Sequence, residues 1–280
     1  MSANIATPWT PAEPDVKTVL AHNPDPLRAL ADAEIPAIVL RQVYDPAQGQ
    51  GLIQRFINWG LIRDANDTNS ADKRMRIDIG TSLGNRGNDQ EGFLRHAVYT
   101  HKLFAHLFDD FIDPVKTLYD QLAALAGDKE VKTAREPDGR LYGPAIFRNH
   151  YTSHRYPPHI DSVRLREKRT NYAVHRFEHQ FAGILCFQNA AHGDHVSETI
   201  LHRCLWTPEI QPYVATDTFN QYAQENQIEN YRVTLAPGDL YFFNTRLIHE
   251  IPALDGTQPR IVLAVFIGYS PDDQEIFVWA

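Results

Sequence analysis

The chain has 280 residues, of which 43% are hydrophobic and 22% are charged, as is usual for a globular protein. A formal net charge of −8 argues against a general nucleic-acid-binding surface, and no apolar run approaches the roughly 18 residues that a membrane span needs. The first residues lack the basic start and apolar stretch of a signal peptide, and Cys186 and Cys204 form no CxxC pair. We therefore expect a cytoplasmic protein without disulfides, with neither nucleic acid nor a membrane as its partner.

The first half of the chain is predicted to be mainly helical. In chain order the segments are a loose tail at 1–15, a short strand at 35–40, an amphipathic helix at 46–59, a polar glycine-containing excursion at 60–92, and a stretch of helical apolar spacing between 94 and 125. Asp113-Pro114 divides the last segment into two helices, because proline ends one helix and can open the next. We expect residues 16–130 to form helical support with one early strand.

After Gly127 the pattern changes to short apolar or alternating runs separated by turn residues. These runs cover 144–151, 172–188, 196–206, 230–235, 239–243, 246–251 and 260–269. Many short, closely spaced strands favour a sandwich or barrel. The predicted fold is therefore α+β, a double-stranded β-helix (a cupin-like jelly roll) at 131–280 buttressed by the N-terminal helices, all within a single domain spanning 1–280.

Three residues form the strongest candidate for a metal site. His159 and Asp161 lie two positions apart, and on a strand such residues point to the same face, roughly 6.6 Å apart along the chain. The extended segment expected after His159 favours this arrangement. His249 follows ninety residues later, far enough for intervening strands to return it to the pair. Two imidazoles and one carboxylate make a facial site for Fe(II) that leaves coordination positions open for chemistry.

Two other motifs compete with this site. A second His-x-Asp pair, His192 and Asp194, lies in a polar, turn-like segment with little rigid structure to hold a ligand. The motif formed by His175, Glu178 and His179 matches the His-x-x-Glu-His pattern of inverted zinc metallopeptidases. The apolar run that follows it favours a strand, on which residues four apart are about 13 Å from each other and cannot share one ion.

Arginines and aromatic residues near the predicted metal site are candidates for binding anions and substrate. Arg260 lies eleven residues after His249 and offers a planar, always charged fork that suits a carboxylate. Arg148 lies on a predicted strand and could bind the same co-substrate or an acidic substrate; the alternative is a solvated strand arginine. Further candidates for contacts with the substrate, each weighed against a solvated loop or core packing, are Arg164, Tyr151 and Trp206.

The pattern His159-x-Asp161, His249 and Arg260 resembles the Fe(II)/2-oxoglutarate-dependent oxygenase superfamily. The final third, above all residues 236–244, is similar in layout to the stand-alone small-molecule branch. That branch includes cyanobacterial indole-alkaloid halogenases and hydroxylases of amino acids and N-acyl amino acids. The resemblance implies that the two histidines and the aspartate hold Fe(II), that 2-oxoglutarate and O2 are co-substrates, and that Arg260 binds the far carboxylate of 2-oxoglutarate.

Two positions bear on which member of the branch this chain resembles. In the halogenases a small residue replaces the iron-binding carboxylate and frees a position for chloride, whereas this chain has Asp161 there. The resemblance therefore implies hydroxylation or another oxidation. The family often has Ser or Thr two residues after the arginine; this chain has Val262, so Arg260 would rely on other partners, such as Arg148 or a tyrosine.

The sequence thus predicts a 2-oxoglutarate-dependent dioxygenase that hydroxylates an unactivated C–H bond of a small molecule and releases succinate and CO2. A free or acylated amino acid is the first candidate for the substrate, and a larger natural-product scaffold is the second. Two hypotheses from other classes stay open at this point: the zinc metallopeptidase, and a cupin-like binding protein that keeps the metal without turnover.

Overall fold

The computed structural model describes residues 8–67, 69–86, 89–151, 155–192, 195–253, 256 and 258–280. Its helices are α1 (Val16–His22), α2 (Pro26–Ala31), α3 (Pro46–Asn58), α4 (Leu83–Arg86), α5 (Gln90–Leu107), α6 (Pro114–Leu125), α7 (Gln211–Ala215) and α8 (Phe219–Glu225), and a 3-10 helix spans Ala173–Arg176. None of the helices in the described ranges combines the length and the apolar character that crossing a bilayer requires.

Most of the strands come after the long helices in the sequence. They are β1 (Ile38–Leu40), β2 (Arg76–Ile79), β3 (Glu130–Thr133), β4 (Ile146–His150), β5 (Tyr156–His159), β6 (His179–Gln188), β7 (Ala191–His192), β8 (His195–Val196), β9 (Glu198–Leu205), β10 (Asn230–Thr234), β11 (Leu240–Asn244), β12 (Leu247–Ile251), β13 (Arg260–Tyr269) and β14 (Glu275–Trp279). The predicted strands between 144 and 269 are confirmed except at residues 172–178, where the chain forms the 3-10 helix before β6 begins.

Most strands of the described chain belong to two sheets of unequal size. The larger has eight strands, with the order β1-β11-β6-β13-β14-β3 and with β4 and then β2 beside the first half of β13. The smaller has the order β10-β9-β12-β5. Apart from the parallel pair β14–β3, the neighbouring strands of both sheets are antiparallel. This arrangement, with helices packed outside, confirms the predicted α+β jelly roll.

The larger sheet is buried on both faces, which explains the continuous apolar run of β13. One face packs against the long helices, where Leu263 of β13 shares a core with Phe56 of α3 and Leu122 of α6. The opposite face turns Val262 and Ala264 towards the interior between the two sheets. Alternation along one strand thus separates residues that stabilise the helical layer from residues that line a cavity.

Two predictions for the first half of the chain are wrong. The polar excursion at 60–92 contains β2 and α4, because Ile77 and Ile79 alternate into the core as an additional strand beside β4. The tail at 1–15 is ordered over its described part: Trp9 is 2% exposed and its indole N–H donates to the carbonyl of Ala33 at 3.1 Å. Residues 1–7 lie outside the described ranges.

Candidate metal centre

Strand pairing brings the two predicted histidines together. His159 is the last residue of β5 and pairs directly with His249 of β12. Their ring centroids are 4.2 Å apart. The Nε2 atoms lie 3.8 Å (His159) and 3.6 Å (His249) from Oδ2 of Asp161. Among the described residues, these three form the one group of three or more possible metal ligands, with all ligand atoms within 4.8 Å of one another.

Asp161 reaches the group from outside the sheet, which corrects the predicted strand geometry. The ladder of β5 ends at His159, residues 160–162 have no regular structure and 163–166 form a turn, in place of the extended segment expected from the sequence. The backbone N–H of Asp161 donates to the carbonyl of Thr245 at 3.1 Å. The position of the carboxylate is therefore set by contacts between loops, and not by the two-residue repeat of a strand.

Both imidazoles are oriented by the backbone. Nδ1 of His159 lies 2.7 Å from the carbonyl of Pro157, and Nδ1 of His249 lies 2.8 Å from the carbonyl of Leu247. Because a carbonyl only accepts, each Nδ1 carries the hydrogen, and the neutral ring presents the lone pair of Nε2 to Asp161. This second contact is typical of metal-binding histidines, since it fixes both the tautomer and the ring orientation.

The electrostatics of the group favour the protonation states that bind a metal. Burial, together with the neighbouring His249, lowers the pKa of His159 to about 4, so its ring is neutral near pH 7. Burial alone would raise the pKa of the Asp161 carboxyl. The neighbouring imidazoles, His249 foremost, and Arg148 outweigh it and hold that pKa well below its usual range. A carboxylate beside neutral imidazoles is what a divalent cation requires.

The donor set and its spacing fit one Fe(II) ion. With metal–ligand bonds of about 2.1 Å, two donors are about 3.0 Å apart in adjacent positions and about 4.2 Å apart in opposite positions. The Nε2–Oδ2 distances of 3.8 and 3.6 Å exceed the adjacent spacing, so the three side chains would draw together by several tenths of an ångström to bind one ion. Two imidazoles and one carboxylate with open positions are the ligand set of non-haem Fe(II) oxygenases.

The three side chains open into a cavity between the sheets that is mainly apolar and carries two arginines. Arg260 is 8% exposed and Arg148 is half-buried, and Nε of Arg148 has no hydrogen-bond partner among the described residues. No described carboxylate pairs with either guanidinium. The apolar lining residues are Ile146, Ala182, Ile184, Phe243, Ile251, Val262, Ala264, Val265, Phe266 and Ala280. A buried cation without a partner is costly, so this cavity is suited to an anion.

Sequence reasoning missed four polar residues that line the same cavity. The hydroxyl of Tyr241 donates to Oγ1 of Thr199 at 2.9 Å. His150 and Tyr156 contact each other at 2.9 Å, and the Tyr156 ring stacks beside His159. Tyr241 could have been found from the sequence, because it lies two positions from Phe243 on β11 and the two side chains must point to the same face. Nothing in the sequence indicated that Thr199 faces the cavity, since this depends on how the two sheets pack against each other.

The three residues predicted to contact the substrate form hydrogen bonds outside the central cavity. Arg164 is exposed and donates to the carbonyl of Phe177 at 3.3 Å. The hydroxyl of Tyr151 donates to the carbonyl of Arg63, and the indole of Trp206 donates to Gln211. None of the three lines the central cavity. Hydrogen bonds with other parts of the chain direct the three side chains away from the cavity.

Neither competing motif forms a metal group in the described part of the chain. His175 lies in the 3-10 helix, Glu178 follows it with a side chain that is 61% exposed, and His179 begins β6. This is not the helix on which the two histidines would share a face. In the second His-x-Asp pair, Asp194 lies outside the described residues, as does Gly193 between the pair.

The chain is similar to known proteins both in sequence and in fold. The model of the family described as the carrier-protein-independent halogenase WelO5 matches residues 13–280. Among solved structures, an N-substituted L-amino acid dioxygenase from Burkholderia ambifaria AMMD has a TM-score of 0.53 and 17% identity, covering 91% of this chain and 90% of that chain. Its complex with alpha-KG gives 0.51 and 15%, with coverages of 91% and 90%. At these identities the likeness shows the fold alone. No curated protein matches the chain.

Proposed function

Because this chain belongs to the WelO5 family, and is thus a 2-oxoglutarate-dependent non-haem iron enzyme, we propose that it hydroxylates an unactivated C–H bond of a small molecule. The observation that carries the choice of reaction is Asp161. Its Oδ2 lies 3.6 Å from Nε2 of His249, inside the ligand group, where a halogenase would need an open position for halide. A carboxylate there supports oxygen transfer.

Each ligand residue has a defined part in this proposal. His159 and His249 bind Fe(II) through Nε2 while their Nδ1–H groups stay on backbone carbonyls. Asp161 contributes one negative charge to the ion. The iron centre, with 2-oxoglutarate and O2, supplies the oxidation of the C–H bond, while the chain supplies binding and orientation.

The polar end of the cavity is proposed to hold the co-substrate. Arg260 pairs with the far carboxylate of 2-oxoglutarate in a charge-assisted contact. Thr199 accepts from Tyr241, which leaves the Thr199 hydrogen free to donate to the same carboxylate. We propose that the Thr199 hydroxyl takes the role of the Ser or Thr that the family often has at the position of Val262. Arg148 is proposed as a second contact for a carboxylate of 2-oxoglutarate, since it lines the same cavity as the three metal ligands.

The walls of the cavity support a substrate that is largely apolar. Phe243, Phe266 and Ile184 line it, and such side chains exclude water and hold an aliphatic or aromatic body. A free or acylated amino acid is the proposed substrate class, as in the dioxygenase of the same fold from Burkholderia ambifaria AMMD, which acts on N-substituted L-amino acids. A larger natural-product scaffold is the second candidate.

The proposal is tested by binding and turnover together. Fe(II) and 2-oxoglutarate are added without oxygen, and the visible absorption of the chelate is recorded; then a panel of N-acyl amino acids is screened for succinate formation in air. We expect the chelate band and stimulated succinate release. Asp161→Ala should lose the succinate release and keep at most a weakened chelate band, whereas Asp217→Ala, at an exposed ion pair with Arg155, should keep both. Wild-type-like turnover by Asp161→Ala would overturn the assignment.

Halogenation is the second candidate, since the family is described by a halogenase. The same turnover run in chloride distinguishes the two by the mass of the product, which gains an oxygen atom in hydroxylation and exchanges hydrogen for chlorine in halogenation. We expect the oxygenated product from the wild type. A chlorinated product from the wild type would contradict the role given to Asp161.

A further inference from the structure

Asp161 differs from the two histidines in how it is held. His159 and His249 are fixed in paired strands, where ladder hydrogen bonds determine where each side chain points. Asp161 has no such ladder, because β5 ends two residues before it. An iron ligand outside regular structure needs other contacts to keep its carboxylate within bonding reach.

Thr245 makes those contacts. It lies in the turn between β11 and β12 and is 0% exposed. Its carbonyl accepts from the N–H of Asp161 at 3.1 Å, and its hydroxyl Oγ1 lies 2.6 Å from the carbonyl of Asp161. Both backbone polar groups of Asp161 are thus bonded to the same residue.

The same threonine connects Asp161 to both sheets. Its Oγ1 lies 2.8 Å from the carbonyl of Gln180 in β6, and its N–H donates to that carbonyl at 3.0 Å. Since a hydroxyl has one hydrogen, Oγ1 shares it between the carbonyls of Asp161 and Gln180. Thr245 also precedes β12, the strand of His249, by two residues. A shift of Thr245 would therefore move the carboxylate relative to an imidazole.

We propose that Thr245 is a positioning residue for the metal centre: its hydroxyl holds the backbone of Asp161 so that the carboxylate meets the two imidazoles. The inference rests on the proposed function, because it needs a metal at these ligands. Residues that orient metal ligands typically change metal affinity by about 10–100-fold when they are replaced.

The test removes the hydroxyl of Thr245 and keeps the shape of its side chain. Thr245→Val removes the shared hydrogen, and Thr245→Ser restores it without the methyl group. Thr100→Val is the matched control, since Thr100 is also buried (4% exposed) and donates to a backbone carbonyl, that of His96 within α5. For each variant the dissociation constant of Fe(II) is measured without oxygen at saturating 2-oxoglutarate, and the melting temperature is measured without metal.

We expect Thr245→Val to weaken Fe(II) binding by about 10–100-fold, Thr245→Ser to stay near the wild type, and Thr100→Val to melt lower with unchanged affinity. Equal Fe(II) affinity in Thr245→Val and the wild type would overturn the inference and leave the proposed function standing. A wild type without the Fe(II)–2-oxoglutarate band would instead overturn the proposed function. Should Thr245→Val fail to fold because a methyl group replaces the hydroxyl among buried carbonyls, Thr245→Ala provides the same comparison without that methyl group.

Discussion

At the scale of single residues, Arg260 is a buried cation that no described carboxylate neutralises. Charge-assisted contacts are worth about 1.5–3 kcal/mol, which corresponds to about 10- to 150-fold in affinity. We therefore expect Arg260→Ala to raise the KM for 2-oxoglutarate by that factor in a succinate-release assay. Arg232→Ala is the control, because Arg232 is an exposed arginine on β10 that pairs with Glu198. An unchanged KM would remove the proposed role of Arg260.

For Arg166 we expect replacement to have only a small effect, although its side chain contacts a proposed metal ligand directly. Its guanidinium lies 3.4 Å from Oδ1 of Asp161, but its side chain is 52% exposed. Exposed ion pairs contribute about 0.2–1 kcal/mol, so we expect Arg166→Met to change the Fe(II) dissociation constant by less than about fivefold. The same anaerobic titration checks this. A tenfold change would mean that the contact is stronger than its exposure indicates.

The candidate site could be predicted from sequence only where residue type determines the chemistry. His159, Asp161 and His249 were found because few residue types bind Fe(II), and the structure brings them together. Thr245 could not be found in this way. A threonine in a turn has no chemistry of its own, and its contacts with Asp161 arise only when loops 84 residues apart meet in the fold.

At the scale of elements, β6 lies in the middle of the larger sheet and needs a residue without a side chain at Gly183. A Cβ there would stand 2.9 Å from a ring carbon of Phe242 and 3.0 Å from a methyl carbon of Val265. Both neighbours lie on adjacent core strands, so we expect Gly183→Ala to lower the free energy of unfolding by about 1–3 kcal/mol in urea.

The control for this prediction is Gly84→Ala. The nearest atom to a Cβ at Gly84 is the Ser82 hydroxyl at 3.6 Å, an ordinary contact, and alanine favours the helical backbone of α4. We expect this variant to be neutral or slightly stabilising. Equal unfolding free energies for the two alanine variants would contradict the role given to close packing at Gly183.

Ion pairs of one glutamate connect the strands at one edge of the larger sheet. Glu275 begins β14 and binds Arg176 of the 3-10 helix at 2.6 Å and Lys132 of β3 at 2.9 Å. These partners lower the pKa of the Glu275 carboxyl to about 2, with hydrogen bonds from Arg176 the largest cause. A depressed pKa stabilises the folded state above the ordinary value of about 4.5, and this stabilisation is lost as pH falls towards 2.

We therefore expect Glu275→Gln to lose stability near pH 7 and to show a shallower decline than the wild type between pH 4.5 and 2, measured by urea unfolding at each pH. Glu225→Gln is the control, since that carboxylate accepts from Gln221 and forms no ion pair with a described residue. Parallel pH profiles for the wild type and Glu275→Gln would rule out the linkage.

Element types were predicted well where periodicity is strong and poorly where tertiary contacts decide. The run at 260–269 became β13 because its branched and apolar residues suit a strand that is buried on both faces. β2 was missed, since four residues within a polar, glycine-containing segment form a strand only by pairing with β4. The order of Trp9 depends likewise on a partner, the carbonyl of Ala33, which the local sequence does not reveal.

At the scale of the whole molecule, we propose that residues 8–280 fold as one domain. The core beneath the larger sheet joins both halves of the chain, since Phe56 and Leu122 of the helices contact the same cluster as Leu263 of β13. The larger sheet itself contains β1, β2 and β3 from the first half. A chain with such a shared core should unfold in one cooperative step, without a separate helical transition.

Metal binding should then stabilise the entire fold, because the three proposed ligands come together only in the native state. At a ligand concentration a hundred times its dissociation constant, the gain is about 2.7 kcal/mol, which for a chain of this size raises the melting temperature by about 5 °C. We expect Mn(II) with 2-oxoglutarate to produce this shift in a single calorimetric transition, and Asp161→Ala to show a clearly smaller one. Two transitions, with only one of them shifted, would refute the single domain; equal shifts in both proteins would place the metal elsewhere.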